Sequence, residues 1–233
     1  MASTTQQQHL SDASASEPRH RPGGAIELAP YSANWPAEFQ NESATIRRAL
    51  AGTPITLHHI GSTSIPGIVA KPVIDMLGVV PAIRDIDDRE RQLAEIGYEG
   101  LGEFGISGRR YFRKTAADGA RTHHLHVFAK GSEAIDRHLD FRDYLRAFPA
   151  EAAAYAELKQ KLAAQFTGED YSEGKTEFIR AIEQRAAAWR EGIVRGPAEV
   201  QAPRRTRVLQ LVLFWLLVVS VPVLLLWLSN AFI

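Results

Sequence analysis

The sequence has no cysteine and no net charge. Without a thiol, the 233-residue chain cannot form a disulfide, bind zinc through thiolates or use a cysteine nucleophile. Its 27 Lys and Arg residues are balanced by 27 Asp and Glu residues, which argues against a large basic surface for nucleic acid. The length suits one domain of ordinary size with additional segments at its ends.

The two ends of the chain differ from the middle in what they lack. Residues 1–24 contain no apolar stretch, so we expect a disordered tail and not a signal peptide. No residue after Arg207 is charged, and about 20 apolar residues suffice to cross a bilayer core. Residues 208–230 are therefore predicted to form a transmembrane helix. The arginines of the basic linker 196–207 predict a single-pass membrane protein whose globular domain lies in the cytoplasm.

Residues 25–195 carry the strand and helix signals of one globular domain. Runs of β-branched or alternating residues predict strands at 25–30, 54–60, 72–80, 98–102, 109–114 and 122–129. Helical spacing predicts helices at 35–50 and 87–96 and three more after residue 132, the second beginning near Pro149 and the third capped by Ser172. Strands followed by helices predict an α+β fold with one sheet.

The segment from His59 to Lys71, HIGSTSIPGIVAK, has loop chemistry that suits an anion. Gly61 permits close approach of the backbone, Ser62 and Thr63 offer hydroxyls and amides, and Lys71 adds a point charge. Most Gly-Ser-Thr turns are only turns, so the segment alone is weak evidence. It supplies five candidate substrate-binding residues: His59, Gly61, Ser62, Thr63 and Lys71.

Asp75 lies inside the apolar run VIDMLGVV. An ionised side chain there is costly unless it is paired, bound to a metal or placed at the exposed end of the strand. Perturbed carboxylates often mark functional sites, which favours a functional role over a structural ion pair.

His124 and His126 stand two residues apart in the strand-like run THHLHVF. Alternation along a strand places both imidazoles on one face and Leu125 on the other. Such a pair can share a metal or an anion, or it can simply be hydrogen-bonded at the face of a sheet. Both interpretations stay open.

Basic side chains elsewhere add candidates for binding a charged substrate. Arg142 can bind a carboxylate or a phosphate through two hydrogen bonds, although an arginine in a helix more often pairs with a nearby acid. We retain it with two other candidates, Arg110 and Lys175.

Taken in order, several motifs resemble the GrpB family of nucleotidyltransferase-like proteins. The resemblance covers residues from about Ile26 to Ala188, and its motifs are HIGSTSIPGIVAKPVID, GYEG, RRYFRK, HHLHVF, FRDYLRAFPAEAAAYAELKQKLA and YSEGKTEFI. It implies a nucleotidyltransferase-like mixed sheet with packed helices. In that superfamily a Gly-Ser turn is combined with strand carboxylates that hold divalent metals, here Mg²⁺ or Mn²⁺.

The resemblance assigns Gly61 and Ser62 to the turn and Asp75 to the first metal-binding carboxylate. The second acid of the superfamily would stand two residues further on, where this chain has Leu77. His124 and His126 are then the remaining candidates for metal binding and catalysis.

Two hypotheses follow from the resemblance. The first is a transferase that acts on a phosphate-bearing small molecule, such as a nucleotide or a coenzyme A precursor, at the cytoplasmic face of the membrane. The second is a non-catalytic module, tethered to the membrane, that binds such a ligand for regulation. The missing acid at Leu77 favours the second.

Overall fold

A computed structural model describes residues 25–192 of the chain. The predicted tail 1–24, the linker 196–207 and the predicted membrane helix 208–230 lie outside the described residues. In chain order the elements are α1 (Trp35–Ala49), β1 (Thr56–Ile60), a 3₁₀ turn (Ser62–Ser64), β2 (Ile74–Val80), α2 (Arg84–Asp87), α3 (Glu90–Glu95), β3 (Tyr98–Gly100), β4 (Arg110–Thr115), β5 (Arg121–Ala129), α4 (Glu133–Ala147), α5 (Pro149–Gln165), α6 (Gly168–Glu173) and α7 (Thr176–Arg190).

The five strands form one mixed sheet in the order β1-β2-β5-β4-β3. β2 and β5 run parallel at its centre, and the other described neighbours are antiparallel. In the central pair Asp75 lies opposite His124, and Leu77 lies opposite His126. The prediction of an α+β fold with one sheet is confirmed.

One face of the sheet builds the main hydrophobic core. Alternate residues such as Met76 of β2 and Leu125 of β5 are fully buried there against the apolar side of α1 and α3, which includes Ile46 and Leu93. Because side chains alternate along a strand, the neighbours of these residues point to the opposite face.

The opposite face is covered only in part. Ile60, Leu77 and Phe128 pack there against residues of α4 that include Leu139. α4, α5 and α7 form a separate cluster around Tyr155. The same face carries the polar side chains of the central strands, Asp75 of β2 and His124 and His126 of β5.

Three predicted elements differ from the structure. The segment 25–30 contributes only an isolated bridge between Ala29 and Ala70 and no strand. The predicted helix 87–96 is replaced by α2 and α3, which are separated near Arg89. Ser172 lies inside α6 and caps no helix, and α7 begins only after the turn at Gly174.

The predicted single-pass membrane localisation has to be corrected. Among residues 25–192, no helix combines the length and the apolar character needed to cross a bilayer. The segment 208–230, on which that localisation depended, lies outside the described residues.

A buried lysine joins the helical cluster to the loop before β2. Lys159 of α5 is 2% exposed, its Nζ donates to the carbonyl of Val69, and its ammonium lies 4.7 Å from the ring centroid of Tyr155. Burial, followed by the positive charge of Lys175, lowers the pKa of Lys159 to about 7.

This lysine should make stability depend on pH. At pH values between the folded pKa of Lys159, near 7, and its higher unfolded pKa, this lysine is protonated more in the unfolded chain than in the folded one. The destabilisation caused by burying Lys159 therefore becomes smaller as the pH rises. Lys159→Met removes this dependence. The unfolding free energy of the wild type minus that of the variant should therefore increase between about pH 6 and about pH 9.

Urea unfolding of the full chain at the two pH values measures this difference. Lys130→Met, at an exposed lysine, is the control and should give the same difference at both. An equally constant difference for Lys159→Met would contradict the prediction.

Candidate functional site

Asp75 and His124 form a hydrogen-bonded pair across the two parallel strands. The distance from His124 Nδ1 to Asp75 Oδ1 is 3.0 Å, and both side chains are partly exposed, to 20% for His124 and 30% for Asp75. A carboxylate can only accept, so Nδ1 of His124 carries a proton, and in the uncharged ring Nε2 has the lone pair. This Nε2 atom is buried and has no hydrogen-bond partner in the described part of the chain.

Gly61 brings the turn after β1 against this carboxylate. Its backbone has φ 68° and ψ −172°, a conformation almost restricted to glycine. A Cβ at this position would overlap Asp75 Oδ2 and lie 2.9 Å from Asp75 Cβ. The absence of a side chain at Gly61 therefore makes room for Asp75.

His126 lies on the same face, beside Tyr111 and Arg109. One nitrogen of each imidazole and a carboxylate oxygen of Asp75 all lie within 4.8 Å of one another. Arg109 Nη1 is 3.3 Å from His126 Nδ1, and the ring centroids of Tyr111 and His126 are 5.0 Å apart. We call Asp75, His124 and His126 the Asp–His cluster.

The electrostatics of the cluster depend on one acid. Burial alone would raise the pKa of Asp75, but its hydrogen bond with His124 and the neighbouring imidazoles lower it below its ordinary value. Burial lowers the pKa of His126 to about 3, against the opposing effect of Asp75. At neutral pH the cluster is therefore an ionised carboxylate beside a neutral His126.

Two lysines lie near the cluster, within the electrostatic reach of Asp75. The ammonium groups of Lys71 and Lys175 lie 4.4 and 4.2 Å from the ring centroid of Tyr171. Burial, followed by the positive charge of Lys175, lowers the pKa of Lys71 to about 8, and Asp75 acts in the opposite direction. Burial also lowers the pKa of Lys175, again opposed by Asp75. Among the side chains that the structure describes, neither lysine forms a salt bridge.

His59 and Thr63 support the turn from inside and offer little surface to a ligand. His59 is 7% exposed and Thr63 is 1% exposed, and His59 Nε2 lies 3.0 Å from Thr63 Oγ1. Thr63 Oγ1 donates in turn to the carbonyl of Val73, which precedes β2. Ser62 lies at the start of the 3₁₀ turn, close enough to Tyr155 to oppose the effect of burial, which raises the pKa of that tyrosine to about 12.

Two predicted substrate-binding arginines lie away from the Asp–His cluster. Arg110 is on the opposite face of the sheet, where Nε and Nη2 donate to Asp87 at 2.6 and 3.0 Å. Arg142 donates to the carboxylate of Asp143 and, at 3.1 Å, to the carbonyl of His59, so it joins α4 to β1. It borders a separate groove of about 380 Å³ that includes none of the three cluster residues.

The donor atoms of the cluster suit a divalent metal, but its single carboxylate supplies little negative charge to attract one. A carboxylate and imidazoles suit Mn²⁺ or another transition metal better than Mg²⁺, which prefers oxygen ligands. Nε2 of His124 is buried and lies on the opposite side of the ring from the Asp75 carboxylate, so it cannot bind the same ion as that carboxylate while the Nδ1 hydrogen bond exists. Leu77 stands where a second carboxylate is expected, and it is fully buried in an apolar cluster with Ile60.

Sequence analysis overlooked Arg109 and Tyr111. Both belong to the quoted motif RRYFRK, but only Arg110 was chosen from it. The useful signal was the alternation of β4, which places Tyr111 opposite His126 and Arg110 opposite Val127, on the other face.

A family model described as "GrpB protein" matches residues 25–185. The chain belongs to the GrpB family. The UPF0157 protein YqkA of Bacillus subtilis is 43% identical over 173 residues, which make up 73% of this chain and 50% of YqkA, so the match spans half the length of that relative. The crystal structure of the conserved protein GrpB from Enterococcus faecalis is similar with a TM-score of 0.64 and 40% identity, over 69% of this chain and 96% of that one.

A weaker similarity connects this GrpB domain with a nucleotidyltransferase, the Cid1 poly(U) polymerase in its MgGTP-bound structure. The TM-score is 0.44 and the identity 14%, over 59% of this chain and 45% of that one. A similarity at this level says nothing about the activity of this GrpB domain.

Gly61→Ala should disrupt the cluster. The new Cβ would push the Asp75 carboxylate away from His124, and the backbone conformation adds strain of about 1–3 kcal/mol. We expect a lower unfolding free energy and the loss of Mn²⁺ binding, measured by urea unfolding and by calorimetric titration.

Gly67→Ala is the matched control. Gly67 lies in the same loop with φ 81°, and a Cβ there would have no atom within 4 Å. It should lower stability through backbone strain alone and leave Mn²⁺ binding unchanged. Equal loss of binding in both variants would show that contact with Asp75 is not the cause.

Proposed function

We propose that this GrpB domain binds a phosphate-bearing small molecule, foremost a nucleotide, beside the Asp–His cluster and transfers a nucleotidyl group from it. The single observation that carries this proposal is the combination of one ionised carboxylate with two lysines that form no salt bridge among the described side chains. A polyphosphate complements the positive charge of the two lysines, and the Asp75 carboxylate beside them offers an oxygen ligand to a metal that the polyphosphate carries. A nucleotide or a coenzyme A precursor therefore fits better than an uncharged substrate.

The lysines are suited to holding the phosphate. Their ammonium groups flank the ring of Tyr171, which limits where they can move. Burial favours the neutral form of both Lys71 and Lys175, and an anionic ligand would favour the charged form again. Binding of phosphate should therefore be coupled to uptake of a proton by Lys71 above about pH 8.

Asp75 would hold one divalent metal together with the ligand, through the carboxylate oxygen that does not accept from His124. Bound there, the metal would neutralise charge on the phosphate oxygens. His124 fixes the orientation of this carboxylate through its Nδ1 hydrogen bond. With one carboxylate, the metal should bind weakly until phosphate oxygens complete its coordination.

A non-catalytic binding module is the second candidate. Leu77 favours it, because a buried leucine removes the acid that a two-metal transferase requires. Such a module would keep the lysines and the turn and bind its ligand without turnover.

Thermal unfolding of the full chain with ATP, GTP, pyrophosphate and phosphopantetheine, each with and without Mn²⁺, separates the two candidates. A ligand that binds the folded state raises the unfolding temperature. Stabilisation that requires both triphosphate and Mn²⁺ supports the transferase, and stabilisation without metal supports the binding module. If none of the four compounds stabilises the protein, the proposed function is wrong.

Asp75→Asn tests the carboxylate. The variant keeps the size of the side chain but removes the charge, so Mn²⁺-dependent stabilisation by triphosphate should disappear. Asp87→Asn, which removes an acid paired with Arg110 on the opposite face, is the matched control and should retain it. Global unfolding of Asp75→Asn, seen by circular dichroism, would identify Asp75 as a structural residue instead.

Lys71→Met tests the phosphate site. Loss of one charge-assisted contact should weaken pyrophosphate binding about tenfold or more, measured by calorimetric titration. Lys130→Met, at an exposed lysine outside the site, should bind as the wild type does. Unchanged affinity in Lys71→Met would remove this lysine from the site.

A further inference from the structure

Arg109 is held rigidly beside the Asp–His cluster. Its side chain donates to two backbone carbonyls of the preceding loop, from Nε to Glu103 at 3.2 Å and from Nη2 to Phe104 at 2.6 Å. The residue is 6% exposed, and its guanidinium lies 5.0 Å from the ring centroid of Tyr111. These contacts leave Nη1 directed at Nδ1 of His126.

A guanidinium has only donors and keeps its proton, so the nitrogen that faces it has to accept. Nδ1 of His126 therefore carries a lone pair. A protonated imidazole beside Arg109 would place two buried cations in contact, so the ring is neutral and its single proton is on Nε2.

His124 has the opposite arrangement. Asp75 accepts from its Nδ1, which leaves the lone pair on Nε2. Two neighbouring imidazoles thus offer different groups at their Nε2 atoms, an acceptor on His124 and an N–H donor on His126.

We propose that Arg109 is a positioning residue that fixes His126 in the Nε2–H tautomer, so that His126 donates a hydrogen bond to an anionic oxygen of the ligand and does not ligate a metal. The part that concerns the ligand rests on the proposed function, whereas the tautomer follows from Arg109 alone.

The charges around His126 support this assignment. Arg109 and Arg137 both act on the neighbouring His138, whose ring centroid lies 5.8 Å from that of His126. The carboxylate of Asp75 acts on His126 in the opposite direction. On the side of Arg109, positive charge repels a metal ion and attracts an anion. The cluster is therefore divided into a metal-binding side at Asp75 and an anion-binding side at His126.

The tautomer can be measured directly. Long-range ¹H–¹⁵N correlation spectra of the full chain distinguish imidazoles protonated on Nδ1 from those protonated on Nε2, and His126→Asn identifies the His126 signals. We expect the Nε2–H form for His126 and the Nδ1–H form for His124 at neutral pH. An Nδ1–H form or a mixture of tautomers at His126 in the wild type would overturn the proposal without any arginine variant.

Arg109→Met tests the cause. It should convert His126 to a mixture of tautomers and leave His124 in the Nδ1–H form. Arg110→Met is the matched control, since its side chain lies on the opposite face, and it should leave both tautomers unchanged. If His126 keeps the pure Nε2–H form in Arg109→Met, Arg109 does not fix it.

Titration separates the two roles. Removing the imidazole in His126→Asn should weaken pyrophosphate binding about tenfold and change Mn²⁺ affinity by less than twofold, whereas Asp75→Asn should abolish Mn²⁺ binding. Loss of Mn²⁺ binding in His126→Asn would overturn the proposal. If the wild type binds neither pyrophosphate nor any of the other three compounds, the proposed function and the donor role both fail, while the spectra still decide whether Arg109 sets the tautomer.

Discussion

The hydrogen bond between Asp75 and His124 is the contact around which the candidate site is built. It joins the parallel central strands at a point where the carboxylate is ionised and only partly covered. Its existence requires space, which the turn at Gly61 provides, and a compensating environment, which the imidazoles and lysines provide. If the carboxylate moved, His124 would lose its fixed tautomer. The positive charge of the two lysines would also lose the negative charge that partly balances it.

α5 contributes to the site through the loop between β1 and β2. Lys159 of this helix donates to the carbonyl of Val69, and Ile65 and Ile68 of the loop belong to the apolar cluster around Tyr155. These contacts anchor the loop to α5. An anchored loop needs little reorganisation when a ligand binds, which lowers the entropic cost of binding.

Sequence reasoning predicted what depends on local periodicity. Alternation along β5 puts His124 and His126 on one face and Leu125 on the other, because a strand repeats every two residues whatever its surroundings. The same rule explains why Arg110 was predicted for the site although it lies on the opposite face. The register of β4 is not visible in the sequence, and a shift by one residue decides whether Arg109 or Arg110 is on the face of the cluster. The contact between Arg109 and His126 spans 17 positions of the chain, and no local pattern indicates it.

The close approach of Gly61 to Asp75 links two positions that are 14 residues apart in the sequence. A side chain at the first is incompatible with the carboxylate at the second, so mutations at these two positions are not independent. Within the GrpB family, a relative that has lost this glycine should also have given up the acidic residue or moved it elsewhere. The pair thus provides a simple criterion for dividing GrpB sequences into those that retain this arrangement and those that have diverged from it.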